Sequence, residues 1–290
     1  MKSVVTLGLL FAATLGVAPP VLAQGATPED NATPARLLLY REEVKPGKAP
    51  AHIANEWAWA SAYAKAQVEF GWLGMSSLTG PSEAWFLSGL ASLEEWQKRM
   101  ATEEGNPALS ADVDRLATQD GEMLSRTSGI TLSYRPNISY QPRVNLAQMR
   151  YMRVDIVRVK PGRIAEFADA WREVVAAHEK AKMEEHWAVY QVDSGMADGT
   201  FMFFYALKSL ADDDTAGPLH GADAYRDATG EGGRRRTREM NQEAIEFSQS
   251  LYFALSPKMS YVPKAWVDAD PAFWNPKPPA AAAKRAGEKK

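Results

Sequence analysis

The sequence has no cysteine, only four histidines and no long apolar run, and each shortage removes a class of function. Without cysteine the chain forms no disulfide and carries no lipid-modified N-terminal cysteine, and a zinc site would have to draw on carboxylates. The histidines, His52, His178, His186 and His220, show neither H-x-x-x-H nor H-x-x-E-H spacing, so no metal site is expected. A formal net charge of −3 argues against both nucleic acid and an anionic membrane as partners. The apolar stretch Val4 to Val17 is shorter than the roughly 20 residues that span a bilayer.

That stretch has another reading from its position. Lys2 supplies a positive start, and Val21-Leu22-Ala23 offers small or apolar residues ahead of cleavage before Gln24. Residues 1–23 are therefore expected to be a signal peptide, with an uncleaved anchor as the alternative, and residues 24–35 a disordered lead-in. A cysteine-free exported chain reads as a bacterial periplasmic or secreted protein, free of the membrane once cleaved.

What is present is repetition and aromatic side chain. Val44-Lys45-Pro46-Gly47-Lys48 returns 115 residues later as Val159-Lys160-Pro161-Gly162-Arg163. A second pair closes each copy: Pro136-Asn137-Ile138-Ser139-Tyr140 and Pro257-Lys258-Met259-Ser260-Tyr261. Nine tryptophans and ten tyrosines accompany this duplication.

Arg36 to Val44 reads as a strand stopped by Pro-Gly turn chemistry, and Ala51 to Gln67 as a helix. Phe70 to Leu78 and Ala84 to Leu90 form a hairpin around Thr79-Gly80-Pro81-Ser82. Ser92 with Glu95 makes a capping box for a helix over 93–102; Ser110 caps a second helix to Met123, and Ile130 to Tyr140 returns as a strand. In the second copy Tyr151 to Val159 alternates cleanly, and Ile164, Phe167, Trp171, Val174 and His178 mark one helical face. His186 to Val192 and Thr200 to Leu207 pair as a hairpin, Arg234 to Phe247 is helical, and Leu251 to Leu255 leads into the closing strand.

Each copy thus has β-α-β-β-α-β order, a ferredoxin-like unit, over 36–148 and 149–264. Residues 265–290 form an extension whose aromatics, Trp266, Phe273 and Trp274, pack back before a disordered Ala/Lys tail. The fold class is α+β. A strand ending in Val-Lys-Pro-Gly-Lys/Arg and followed by a helix resembles the dimeric α/β-barrel superfamily, with NIPSNAP-like, EthD-like and antibiotic-biosynthesis-monooxygenase-like members. The resemblance implies two antiparallel sheets closing a barrel, here within one chain, as a monomer or homodimer. It also admits members ranging from cofactor-free oxygenases through haem enzymes to binders, so fold alone selects no function.

No catalytic signature appears. The first helix carries a polar-aromatic stripe, His52, Glu56, Trp59 and Tyr63, at i, i+4, i+7 and i+11. Kept in register with the second copy, the stripe matches Phe167, Trp171, Val174 and His178 and is buried. Slipped by one residue, Trp57 matches Trp171 and the stripe is half-exposed; helix amphipathicity favours this slip. The expected ligand-binding residues are His52, Glu56, Trp59, Tyr63 and His178. The ligand is a small hydrophobic or aromatic molecule in or beside the barrel. The alternatives are a cofactor-independent monooxygenase using His52, Tyr63 or His178, and a structural or assembly protein. No cofactor is expected, haem being the one group the resemblance allows, at His220. The basic run Arg234-Arg235-Arg236 with Arg238 reads as a solvated helix face, and Asp212-Asp213-Asp214 lacks calcium-loop spacing.

Overall fold

A computed structural model of the chain describes residues 33–215 and 222–277. The expected signal peptide, most of the lead-in, His220 and the tail beyond residue 277 lie outside the described residues. Eight strands, β1 (Arg36–Val44), β2 (Leu73–Ser77), β3 (Glu83–Leu90), β4 (Leu124–Tyr134), β5 (Tyr151–Val159), β6 (Ala188–Ser194), β7 (Thr200–Leu207) and β8 (Ile245–Leu255), close one barrel. Their order around it is β1-β3-β2-β8-β5-β7-β6-β4, and neighbours are antiparallel throughout. β1 and β5 are four strands apart in this circle of eight, so they face each other across the barrel.

The helices lie outside: α1 (Ala49–Lys65), α2 (Leu93–Glu104) and α3 (Pro107–Met123) follow β1 and β3, while α4 (Ile164–Ala181), α5 (Ala211–Thr215) and α6 (Ala222–Ala244) follow β5 and β7. Among the described residues no helix is long and apolar enough to cross a membrane. Both Pro-Gly corners place glycine at positive φ, 78° at Gly47 and 79° at Gly162, where a Cβ is disfavoured. Each corner hands its strand to its helix in the same register: Lys48 and Arg163 occupy the same N-cap position.

Strand alternation sorts side chains between two cores. Inward-facing residues of all eight strands fill the barrel as one contiguous apolar cluster, including Leu39, Met75, Trp85, Leu132, Val154, Tyr190, Met202 and Phe253. The interior is lined throughout by apolar and aromatic side chains that pack on one another. One end is covered by the C-terminal extension, where α7 (Lys264–Ala269) and α8 (Pro271–Trp274) bring Trp266, Phe273 and Trp274 onto that cluster. Trp274 is buried there and donates its indole N–H to Ala147 O at 2.7 Å. Within the barrel Arg41 stacks over the Trp85 ring and binds both oxygens of Glu83 at 2.9 Å.

Several local expectations shift. α3 is capped by Asn106, whose side chain accepts from Leu109 N, and so begins ahead of Ser110. β4 starts at Leu124 and leaves the sheet after Tyr134, because a 3-10 turn over Pro136–Ile138 diverts the chain. The helix expected to reach Phe247 stops at Ala244; pairing of Ile245 with Val159 and of Phe247 with Arg158 draws these residues into β8. Sheet closure overrides local helix preference.

The repeated Ser-Tyr motifs do not continue their own sheets but cross between the halves. Tyr140 bridges to Trp187, and Tyr261 bridges to Trp72. The contacts repeat atom for atom. Trp187 donates to Ile138 O and Trp72 to Met259 O, Ser139 Oγ accepts from Val189 N and Ser260 Oγ from Gly74 N, and Tyr140 donates to Met183 O and Tyr261 to Val68 O. The closing segment of each half thus locks the hairpin and helix of the other.

Candidate functional site

The in-register alternative for the first helix is the one that the structure adopts. His52, Asn55, Glu56 and Tyr63 form the buried face of α1, with His52 only 1 % and Glu56 5 % exposed, whereas Trp57 is half-buried. The slip favoured on amphipathicity is therefore corrected. The shared turn geometry at Gly47 and Gly162 sets the helix phase, and the stripe is buried despite its polarity.

Burial brings partners. Glu42, on the outward face of β1, reaches under the first turn of α1, where its Oε2 lies 2.8 Å from His52 Nε2. Glu56 Oε1 is 3.6 Å from the same nitrogen, one helical turn on. The carboxyl of Glu56 is pushed well above its ordinary range, first by burial, then by the neighbouring charges of Glu42 and Asp120. Asp120 of α3 is itself satisfied: Asn55 Nδ2 donates to Oδ1 at 2.8 Å and Trp59 Nε1 to Oδ2 at 2.8 Å. Trp59 thus tethers α1 to α3.

Tyr63 stands apart from this trio. Its hydroxyl donates to Glu103 Oε1 at 2.7 Å, and its ring packs edge-on against Trp72 at 5.0 Å. Burial and the Glu103 carboxylate drive its phenol well above the ordinary value. His178 lies in the second half, on the buried face of α4, at the position matching Tyr63. It is 2 % exposed, its Nδ1 is 2.8 Å from Val174 O, and its ring meets Trp187 at 4.8 Å and Tyr140 at 5.4 Å. Of the five expected residues the structure therefore joins His52 and Glu56 in one polar site and puts Trp59 beside it. Tyr63 and His178 belong to matching aromatic clusters.

Glu42 was missed in the sequence. The signal was available: at the offset of 115, Glu42 corresponds to Val157, His52 to Phe167 and Glu56 to Trp171. Those three pack together in the apolar outer core of the second half. Even the ring beneath is shared. Phe86 meets His52 at 6.5 Å and 63°, while Phe203 meets Phe167 at 6.3 Å and 84°. The same scaffold position is thus apolar in one half and ionisable in the other.

Of the described histidines, His52 and His178 are closed into packing and His186 Nε2 is 2.7 Å from Ala206 O. A surface depression of 380 Å3, lined by Ser139, Tyr140, Gln141, Glu179 and Lys182, lies beyond the C-terminal end of α4, away from the polar trio. In the second half Arg153 pairs with Asp213 and lies 3.5 Å from Asp155, its guanidinium stacked over Tyr205 at 3.9 Å. Arg235 pairs with Glu239 at 3.5 Å on an exposed helix face.

No family model matches the sequence, and no curated protein is significantly similar to it. Solved structures are similar in shape. An anthrone oxidase-like protein aligns at 12 % identity over 78 % of this chain and 92 % of that chain, with TM-score 0.49. A mutant chlorite dismutase from Candidatus Nitrospira defluvii aligns at 9 % identity over 82 % and 95 %, with TM-score 0.43. A haem-binding protein from Thermus thermophilus aligns at 10 % over 78 % and 92 %, with TM-score 0.42. No activity, ligand or residue role is carried over from likenesses this remote. On its own topology, a closed eight-stranded antiparallel barrel with its helices outside, formed by a single chain, the protein has the dimeric α/β-barrel fold.

Proposed function

We propose that this is an exported, periplasmic or secreted binding protein whose site is the polar seam between β1 and α1, beside the barrel. One observation carries the reading: His52 and Glu56 are buried, with the partly buried Glu42 against them, where the matching seam of the same molecule holds Val157, Phe167 and Trp171. The fold needs no charge at these positions, because the second half is built without it. Burying ionisable groups costs free energy unless they are fully paired, and polar groups kept at such a cost mark functional sites. The ionisable trio suits an ionic ligand better than the apolar molecule expected from the aromatic content. The oxygenase-type reaction gains no support from Tyr63 or His178, which are both enclosed in aromatic packing.

The test is a transplant of apolar residues into the first seam, Glu42→Val, His52→Phe and Glu56→Leu together, followed by denaturant unfolding in the presence of chelator. A functional seam leaves this variant at least as stable as the parent. A seam that holds α1 to the sheet makes it less stable.

A further inference from the structure

Resting on the seam as the binding site, the geometry points to a divalent first-row transition-metal ion as its ligand, held by Glu42, His52 and Glu56. One ligand atom from each residue lies within 4.8 Å of the other two. His52 Nε2 is 2.8 Å from Glu42 Oε2 and 3.6 Å from Glu56 Oε1. An ion bonded at about 2.0–2.2 Å to nitrogen and oxygen holds adjacent ligand atoms roughly 3.0–3.5 Å apart, in tetrahedral or octahedral geometry. The two separations from His52 bracket that range, and the third pair, Glu42 with Glu56, lies within 4.8 Å, so side-chain adjustment of the two carboxylates about the fixed imidazole completes a three-point coordination set.

A second observation is Glu56 itself. This carboxylate is 5 % exposed and faces the trio, yet its nearest partner is the 3.6 Å contact to His52, beyond hydrogen-bond length. Around it, other polar groups are committed elsewhere: Asp120 to Asn55 and Trp59, and Tyr63 to Glu103. The supports are rigid, since His52 and Glu56 sit one turn apart on α1 and Glu42 is fixed in the β1 ladder, between Ala84 and Thr127.

The donor set selects the ion. Two carboxylates balance the ion's double positive charge, and the ion in turn relieves their juxtaposition. An imidazole nitrogen favours first-row ions such as zinc or iron, for which cobalt is the spectroscopic stand-in, over the oxygen-seeking calcium and magnesium. Glu42, whose side chain is 17 % exposed, forms the outer edge through which an ion and its remaining waters reach the site.

The experiment is titration of chelator-treated protein with Co(II), followed by visible absorption and equilibrium dialysis, with Ca(II) in parallel. One Co(II) binds per chain, and Ca(II) binds far more weakly. Glu42→Gln and Glu56→Gln each weaken Co(II) binding by roughly tenfold or more. Asp120→Asn, whose carboxylate is turned to Asn55 and Trp59, keeps the cobalt spectrum. If Glu56→Gln loses structure by circular dichroism, the more exposed Glu42→Gln decides. Absence of stoichiometric Co(II) uptake, unchanged affinity in the Gln variants, or Ca(II) binding as tight as Co(II) overturns the inference. Failure here with a triple apolar variant at least as stable as the parent removes only the metal. A destabilised triple variant removes the seam as a site.

Discussion

Replacing Glu42, His52 and Glu56 by Val, Phe and Leu transfers the character of the second seam to the first. The outcome follows from opposing energies. The variant loses the 2.8 Å contact between His52 and Glu42, a hydrogen bond to a charged group contributing about 1.5–3 kcal/mol. Against that, it removes the buried carboxyl of Glu56, the partly buried one of Glu42, and the unfavourable proximity of Glu56 to Glu42 and Asp120. It also adds apolar surface against Phe86, in the arrangement that Phe167 already makes with Phe203. Phe matches the imidazole in shape, and Leu is chosen over Trp at position 56 to keep side-chain volume close to that of glutamate. Apolar replacement of whole buried ionic clusters is neutral to stabilising by about 1–4 kcal/mol. For a chain of this size that raises the melting temperature by roughly 2–4 °C per kcal/mol. The single change His52→Phe moves the other way, because it leaves Glu42 and Glu56 facing each other without the imidazole. The signature is therefore strong non-additivity, with the triple variant more stable than His52→Phe and at least as stable as the parent. Urea unfolding of metal-free protein reads this directly. A triple variant less stable than the parent by more than about 1 kcal/mol refutes the reasoning, because the trio would then be supporting the fold.

Three further outcomes follow from the packing. Trp274→Ala removes the buried plug of one barrel end together with its hydrogen bond to Ala147, and costs about 3–5 kcal/mol in urea unfolding; a loss below about 1 kcal/mol contradicts the plug. Arg41→Ala leaves Glu83, whose side chain is only 9 % exposed, without its cation and costs about 3–5 kcal/mol, while Lys98→Ala, on an exposed pair with Glu94, changes stability by less than about 1 kcal/mol. Equal effects of the two would show the Arg41 pair to be solvated. Tyr190 is buried with its hydroxyl donating to Pro34 O, and burial raises its phenol. Because the folded pKa lies above the unfolded one, its contribution is full below about pH 10 and is lost as pH rises through the interval above it. The stability gap between parent and Tyr190→Phe narrows as pH rises from about 9 to about 11; a constant gap contradicts the assignment.

Where local chemistry decides, the sequence was readable. β1, β5 and β7 fall at the expected residues, because alternation and the Pro-Gly turns specify them. Ser92 caps α2 as its spacing with Glu95 requires, its side chain accepting from Glu95 N. What escaped was settled by distant partners. The Ser-Tyr segments bind the opposite half through contacts spanning the chain, so each looks locally like a closing strand. Ile245 and Phe247 become strand through β5, not through their neighbours in sequence. At the site, amphipathicity argued for hiding Trp57 and exposing the stripe, yet the turn fixed the helix phase and buried His52 and Glu56. Reading Glu42 against Val157 at the same offset would have completed the trio.

The most direct measurement is the anomalous difference map of a crystal soaked in Co(II) and recorded at the cobalt edge. The account predicts one peak between Glu42, His52 and Glu56, about 2.0–2.2 Å from a ligand atom of each, and none at the matching Val157, Phe167 and Trp171. A map without density in that seam, or with cobalt bound only elsewhere on the molecule, would contradict it.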